Sequence, residues 1–171
     1  MEGTDGGGQT VKQSMKRQAF LARTFLIVIV FGMAIVGFFF CVEFIRRFPQ
    51  ASITFLDGTR VLVEVVKTPE AQAQGLSGRA LLSENDGMLF VYDEPQEVGI
   101  WMKDMRFPID ILWIRNNRIV HIVENASVPI PGQPIPSFRP SAEATEVLEL
   151  RAGFAKAHTL NIGDPVFMDI P

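Results

Sequence analysis

Eighteen consecutive residues, Phe25–Val42, carry no charge: FLIVIVFGMAIVGFFFCV. At about 1.5 Å per helical residue, such a run nearly crosses a hydrocarbon core, and Arg23 can snorkel at one end. A helix apolar on every face needs lipid or a large protein around it, and the remainder of this chain is too small to enclose one. A cleaved signal peptide fits less well, because Cys41-Val42-Glu43-Phe44-Ile45 contains no small-x-small cleavage pattern. Phe40 before Cys41 also departs from the small residues of a lipoprotein processing site. The segment reads as an uncleaved signal-anchor.

Charge sets the orientation. Lys12, Lys16, Arg17 and Arg23 precede the run, and Arg46 and Arg47 follow it. The larger basic count on the amino side predicts a cytoplasmic amino terminus and a body exported across the cytoplasmic (inner) membrane, to the periplasm or its equivalent. The expected organisation is a disordered basic cytoplasmic tail over 1–19, a transmembrane helix over 20–42, a linker over 43–52 and one β-rich domain over 53–171. Residues 50–171 carry ten Lys/Arg against sixteen Asp/Glu, a net of -6. A body that acidic is a poor match for nucleic-acid phosphates. The single cysteine, Cys41, excludes an intrachain disulfide framework and a cysteine-cluster metal site.

Within the body, ITFLD (53–57) and RVLVEVV (60–66) flank Asp57-Gly58-Thr59 and predict a hairpin. Thr68-Pro69 has the form of an N-cap followed by proline at the first helical position, opening a short helix through Ala71–Gln74 that Gly75 stops. Strands are expected at Met88–Tyr92 and Val98–Met102, separated by Asp93-Glu94-Pro95-Gln96. A second hairpin, Ile109–Ile114 with Ile119–Val123, turns at Asn116-Asn117, residues that tolerate left-handed backbone. Strands at Thr145–Leu150 and Val166–Asp169 enclose a helix at Phe154–Leu160. These elements predict a mainly β, antiparallel, compact barrel-like or sandwich-like domain with short peripheral helices, preceded by one transmembrane helix. Between the second hairpin and the late strands, Ala126–Ser141 holds Pro129, Pro131, Pro134, Pro136 and Pro140. Five rings predict an extended, ordered loop that presents Ile130 and Ile135 to a partner.

The chemistry-bearing residues concentrate in Trp101-Met102-Lys103-Asp104-Met105-Arg106-Phe107-Pro108-Ile109-Asp110. Beside the aromatic Trp101 such a mixture can line a cleft, with Lys103 binding an anion and Asp104 or Asp110 accepting a proton or hydrogen bond. Arg79 suits a carboxylate or phosphate, or an acidic side chain that staples its turn. The two histidines, His121 and His158, form no HExxH motif, and Met102, Met105 and Met168 are better read as core filling than as soft copper ligands. There is no GxSxG elbow and no P-loop, and Cys41 lies at the membrane edge. No cofactor, metal site or catalytic set is assigned.

Gly75-Leu76-Ser77-Gly78-Arg79, Gly87-Met88-Leu89-Phe90-Val91, Trp101-Met102-Lys103, Pro108-Ile109-Asp110-Ile111 and Val147-Leu148-Glu149-Leu150 with Ala152-Gly153, in this order and spacing, resemble the DUF192 family of small, often exported domains. The resemblance runs from about Val61 to Phe167. It implies a compact barrel-like or sandwich-like β domain outside the cytoplasm and brings no established activity, substrate or cofactor. Asp104 and Met105 stand where the family's usual continuation is Asn-Thr.

The leading functional expectation is a membrane-anchored extracytoplasmic interaction module or accessory subunit of a membrane protein complex. Its membrane protein partner would dock on Ile130 and Ile135, its lipid contact would be residues 20–42, and nucleic acid is not expected. The alternatives are a small-ligand-binding domain with Arg79, Trp101, Lys103 and Asp110 in its pocket, and a hydrolase.

Overall fold

The computed structural model describes residues 49–170 and, within the apolar run, Ile29, residues 31–33 and Ile35. These last positions are helical, and Ile29, Phe31, Met33 and Ile35 are exposed. Among the described residues, no helix is long and apolar enough to cross a membrane. The predicted tail, nearly all of the predicted anchor and most of the predicted linker lie outside the described residues. The chain divides into two units, Met1–Arg47 and Phe48–Pro171.

The second unit is mainly β. Seven strands, β1 (Gln50–Thr54), β2 (Arg60–Val66), β3 (Asp86–Gln96), β5 (Ile109–Arg115), β6 (Arg118–Ala126), β8 (Ala144–Arg151) and β9 (Phe167–Asp169), form one curled half-barrel sheet in the order β6-β5-β8-β3-β2-β1-β9. Two short strands, β4 (Ile100–Trp101) and β7 (Ser137–Phe138), pair separately. The helices are α1 (Pro69–Gln74) and α2 (Phe154–Ala157).

The predicted β5–β6 hairpin is present, with Asn116 and Asn117 at φ 51° and 56°. Thr68 caps α1 by accepting from the Ala71 amide, and Pro69 opens the helix. Four features differ from expectation, the first being that α2 ends at Ala157, short of the predicted Leu160. Strand β1 begins at Gln50, ahead of the predicted Ile53, and Phe55 is buried where the chain leaves the strand. The stretch Asp93–Gln96 continues β3 past an irregularity after Val91, and β4 shrinks to two residues. The sheet is also not purely antiparallel: β2 and β3 run parallel, because the α1 segment carries the chain back across the sheet between them.

Alternation along the central strands divides the core between the two faces. Ile109, Ile111 and Trp113 join Met88, Phe90 and Val147 on one face. On the other, Leu112 and Ile114 pack with Leu89, Leu148, Leu150 and Phe154. Both faces of β5 and β8 are therefore covered over most of their length. The segment Asp164–Asp169 draws the open edges together: the Val166 amide donates to the Asn117 carbonyl, and Phe167–Asp169 pairs with β1.

Candidate functional site

One row across the first face is unusually polar. The register places Glu64 of β2 beside Met88 of β3, Met88 beside Glu149 of β8, and Glu149 beside Ile111 of β5. Helix α1 and the turn after it cover this row, with Leu76 buried beneath them. From that turn Arg79 reaches Glu64 in a two-pronged pair, Nη1 to Oε1 at 2.5 Å and Nη2 to Oε2 at 2.7 Å. The pair raises the affinity of Arg79 for its proton.

Glu149 has no such partner. It is 5% exposed, and its Oε2 accepts no hydrogen bond among the described residues. Burial pushes its carboxyl up to about 8, and the nearby Arg79, already engaged by Glu64, offsets only part of this. The group is therefore mostly protonated at neutral pH. Above it lies a cavity of about 60 Å³ whose lining includes Phe90, Tyr92, Trp101, Met102 and Met105. The Tyr92 phenol is itself pushed up to about 12 by burial, with Glu149 adding to the shift.

A wider groove of about 730 Å³ adjoins this cavity, and both are lined by Gln74, Ser77 and Met105. Its other walls include Lys103, Arg106, Pro129 and Ile135. Residues 102–106 are tied on both sides. Ser77 Oγ donates to the Lys103 carbonyl at 2.7 Å and the Gly78 amide to the Asp104 carbonyl at 2.9 Å. On the opposite side the Met102 amide donates to the Pro136 carbonyl at 2.9 Å, and β4 pairs with β7. The proline-rich loop is thus held by backbone bonds, while Ile130 and Ile135 stand 55% and 47% exposed.

The structure brings Trp101 to the cavity and Lys103 and Ile135 to the groove, whereas Arg79 lines neither and is engaged by Glu64. Trp101 is 50% exposed, and Lys103 Nζ lies 5.2 Å from its ring centroid. Ile130 lies on the same loop without lining the groove. Asp110 is elsewhere: fully buried on the opposite face, it accepts from the amides of Asn125, Gly153 and Ala155 at 2.8, 3.1 and 2.8 Å. It fastens the start of α2 to the sheet. Asp104 adopts φ 56°, a left-handed region that aspartate and asparagine tolerate better than most residues.

His121 stacks edge-on to Trp113 and lies 3.3 Å from Ser141 Oγ, whereas His158 pairs with Asp57 at 2.8 Å. That pair and the Thr59 amide hold the Asp57 carboxyl down at about 2, the amide bond being the larger cause. Met102 and Met105 pack on one face and Met168 on the other, so the three sulfurs are not gathered. Among the described residues no group of three His, Cys, Asp or Glu is placed to hold a metal.

The sequence model of DUF192, described as "Uncharacterized ACR", matches residues 52–168. The chain belongs to the DUF192 family. Two solved structures share the fold. A Sinorhizobium meliloti 1021 protein, described as a proposed transcription regulator, is 29% identical, with 70% of this chain and 92% of that one covered and a TM-score of 0.62. A Novosphingobium aromaticivorans DSM 12444 protein of unknown function is 26% identical, with 69% and 83% covered and a TM-score of 0.60. A comparison with curated proteins gave no match. In this DUF192 domain, Glu149 and Glu64 are the polar groups that inspection of the sequence did not single out. The available signal was a glutamate inside the strand string Val147-Leu148-Glu149-Leu150.

Proposed function

We propose that this chain is a membrane-anchored recognition module whose DUF192 body lies outside the cytoplasm and docks onto a membrane protein through the proline-rich loop and adjoining groove. The observation that carries this reading is the pair of exposed isoleucines, Ile130 and Ile135, on a loop held by β4–β7 pairing. Prolines and backbone bonds lower the ordering cost that a docking segment otherwise meets on binding. The anchor is supported by the uncharged run Phe25–Val42 and by the helical, exposed state of its described positions. More basic residues before the run than after it favour a cytoplasmic amino terminus.

Transcription regulation, the description attached to the Sinorhizobium relative, finds little support in this body. Its net charge of -6 opposes approach to nucleic-acid phosphates. A second reading, small-ligand binding, is favoured by the buried, unpartnered carboxyl of Glu149 beneath its cavity.

The docking reading is tested with the double variant Ile130→Asp, Ile135→Asp in the full-length chain. Both side chains face solvent, so folding should be spared, while recovery of a stoichiometric membrane partner from native membranes should fall. A variant with unchanged melting and an unchanged partner removes the loop from the interface.

A further inference from the structure

The row holds two carboxyls, Glu64 and Glu149, and the turn after α1 brings one guanidinium, Arg79, to Glu64. Arg79 places both terminal nitrogens on Glu64, so an ionised Glu149 leaves the cluster one cation short. An uncompensated charge in such a site is costly, which is why the carboxyl keeps its proton. We propose that the cavity above Glu149 is a binding site for the ammonium end of a small unbranched primary amine, with the Glu149 carboxylate as its counter-ion. The inference does not depend on the docking reading, because neither Ile130 nor Ile135 lines the cavity.

The lining selects this chemistry. Phe90 and Tyr92 supply aromatic rings, which attract ammonium groups as well as apolar carbon, while the Trp101 ring already carries the Lys103 ammonium 5.2 Å from its centroid. A hard metal ion is poorly served, since such ions take about six or more oxygen ligands with several carboxylates among them, and this lining has one carboxyl, its other side-chain oxygens being the neutral ones of Gln72, Gln74, Ser77 and Tyr92. Size narrows the ligand further. An apolar cavity of about 150 Å³ accepts benzene, so about 60 Å³ admits a head group of a few heavy atoms and no ring. The rest of the ligand then lies in the adjoining groove, past Gln74, Ser77 and Met105. Lys103 and Arg106 along that groove disfavour a second cation at the far end.

Binding must displace the proton from Glu149. The other charged or titratable groups facing this carboxyl are Arg79 from the turn after α1, with Glu64 of β2 behind it, and the phenol of Tyr92 on β3; Arg79 and Tyr92 keep their protons well past neutrality. The test titrates the full-length chain in detergent with n-butylamine, n-butanol or potassium chloride, by calorimetry at about pH 6.5 and about pH 8.5. Butylamine remains an ammonium at both values, as a lysine side chain does.

The amine should bind at least tenfold more tightly at the higher pH, because a site that must lose one proton gains up to about tenfold per unit below its pKa. Its binding heat should vary with the ionisation heat of the buffer, reporting proton release. Butanol should show no such dependence, and potassium should not compete. Glu149→Gln should remove at least about tenfold of the affinity together with the pH dependence. The proposal is overturned if the amine does not bind at about pH 8.5, binds more tightly at about pH 6.5, or is indifferent to Glu149→Gln. Equal competition by potassium also overturns it. Should that variant not fold, the pH dependence and proton release of the unaltered chain still decide the question.

Discussion

Asp110 and Glu149 lie on adjacent strands, one residue out of register, so their carboxyls occupy opposite faces of the same sheet: Asp110 is opposite Leu150, and Glu149 is opposite Ile111. Their surroundings divide their roles. Asp110 accepts three backbone amides and anchors α2. Glu149, with Oε2 unpartnered beneath a cavity, is available for binding chemistry.

The first consequence is a pH dependence. A carboxyl that titrates near 8 when folded, against an ordinary value of 4.5, holds its proton more tightly in the folded state. Its contribution to stability is complete below about 4.5 and is lost as pH rises through about 8, with a slope of at most about 1.4 kcal/mol per pH unit. Denaturant unfolding of the full-length chain across this window should show that loss, and Glu149→Gln should flatten it. Parallel curves for the two proteins would place the titration elsewhere.

Replacing Asp110 tests the opposite face. Asp110→Ala leaves the amides of Asn125, Gly153 and Ala155 without their acceptor, and a loss of roughly 3 kcal/mol is expected, because each stranded buried donor costs about 1–3 kcal/mol. Asp110→Asn retains one carbonyl and should lose less. Hydrogen exchange should accelerate at the Ala155 amide in both variants. A stability unchanged within about 0.5 kcal/mol would contradict the anchoring role.

Gly87 is a close-approach position on β3. A Cβ there would meet the Glu149 carbonyl oxygen at 2.8 Å, with Leu150 and Val63 side chains at 3.0 and 3.1 Å. Gly87→Ala should therefore cost about 2 kcal/mol or more, as overpacking against backbone does. At Gly99 the nearest atoms belong to the Arg139 side chain, at 3.5 Å, and Gly99→Ala should change stability by less than about 0.5 kcal/mol. Thermal melts of the two variants make the comparison.

Local signals were readable where a few neighbouring residues decide the backbone. Asn116-Asn117 specified the β5–β6 turn, and Thr68-Pro69 the start of α1. Pairing between distant segments was less accessible, because nothing in Arg60–Val66 states that its neighbour will be Asp86–Gln96 in parallel. The family strings marked where the domain lies without assigning its groups to faces. Trp101 and Lys103 were legible as candidate pocket residues, and they lie at the cavity and the groove respectively, with the Lys103 ammonium over the Trp101 ring. Glu149 was not legible, since both faces of β8 are buried and alternation in Val147–Leu150 distinguishes no polar side. Asp110 shares that difficulty on β5, where the buried pattern is nearly continuous.

The central claim, docking through the loop and groove, is tested most directly by photo-crosslinking in native membranes. A photoreactive residue at position 135, at the groove, is compared with one at position 162, which replaces the exposed Ile162 in the turn packed on the start of β6. Recognition through the groove predicts a single adduct with one membrane protein from position 135, absent from position 162 and abolished by Ile130→Asp. Equal adducts from both positions, or an adduct at 135 that survives Ile130→Asp in a folded chain, would contradict it.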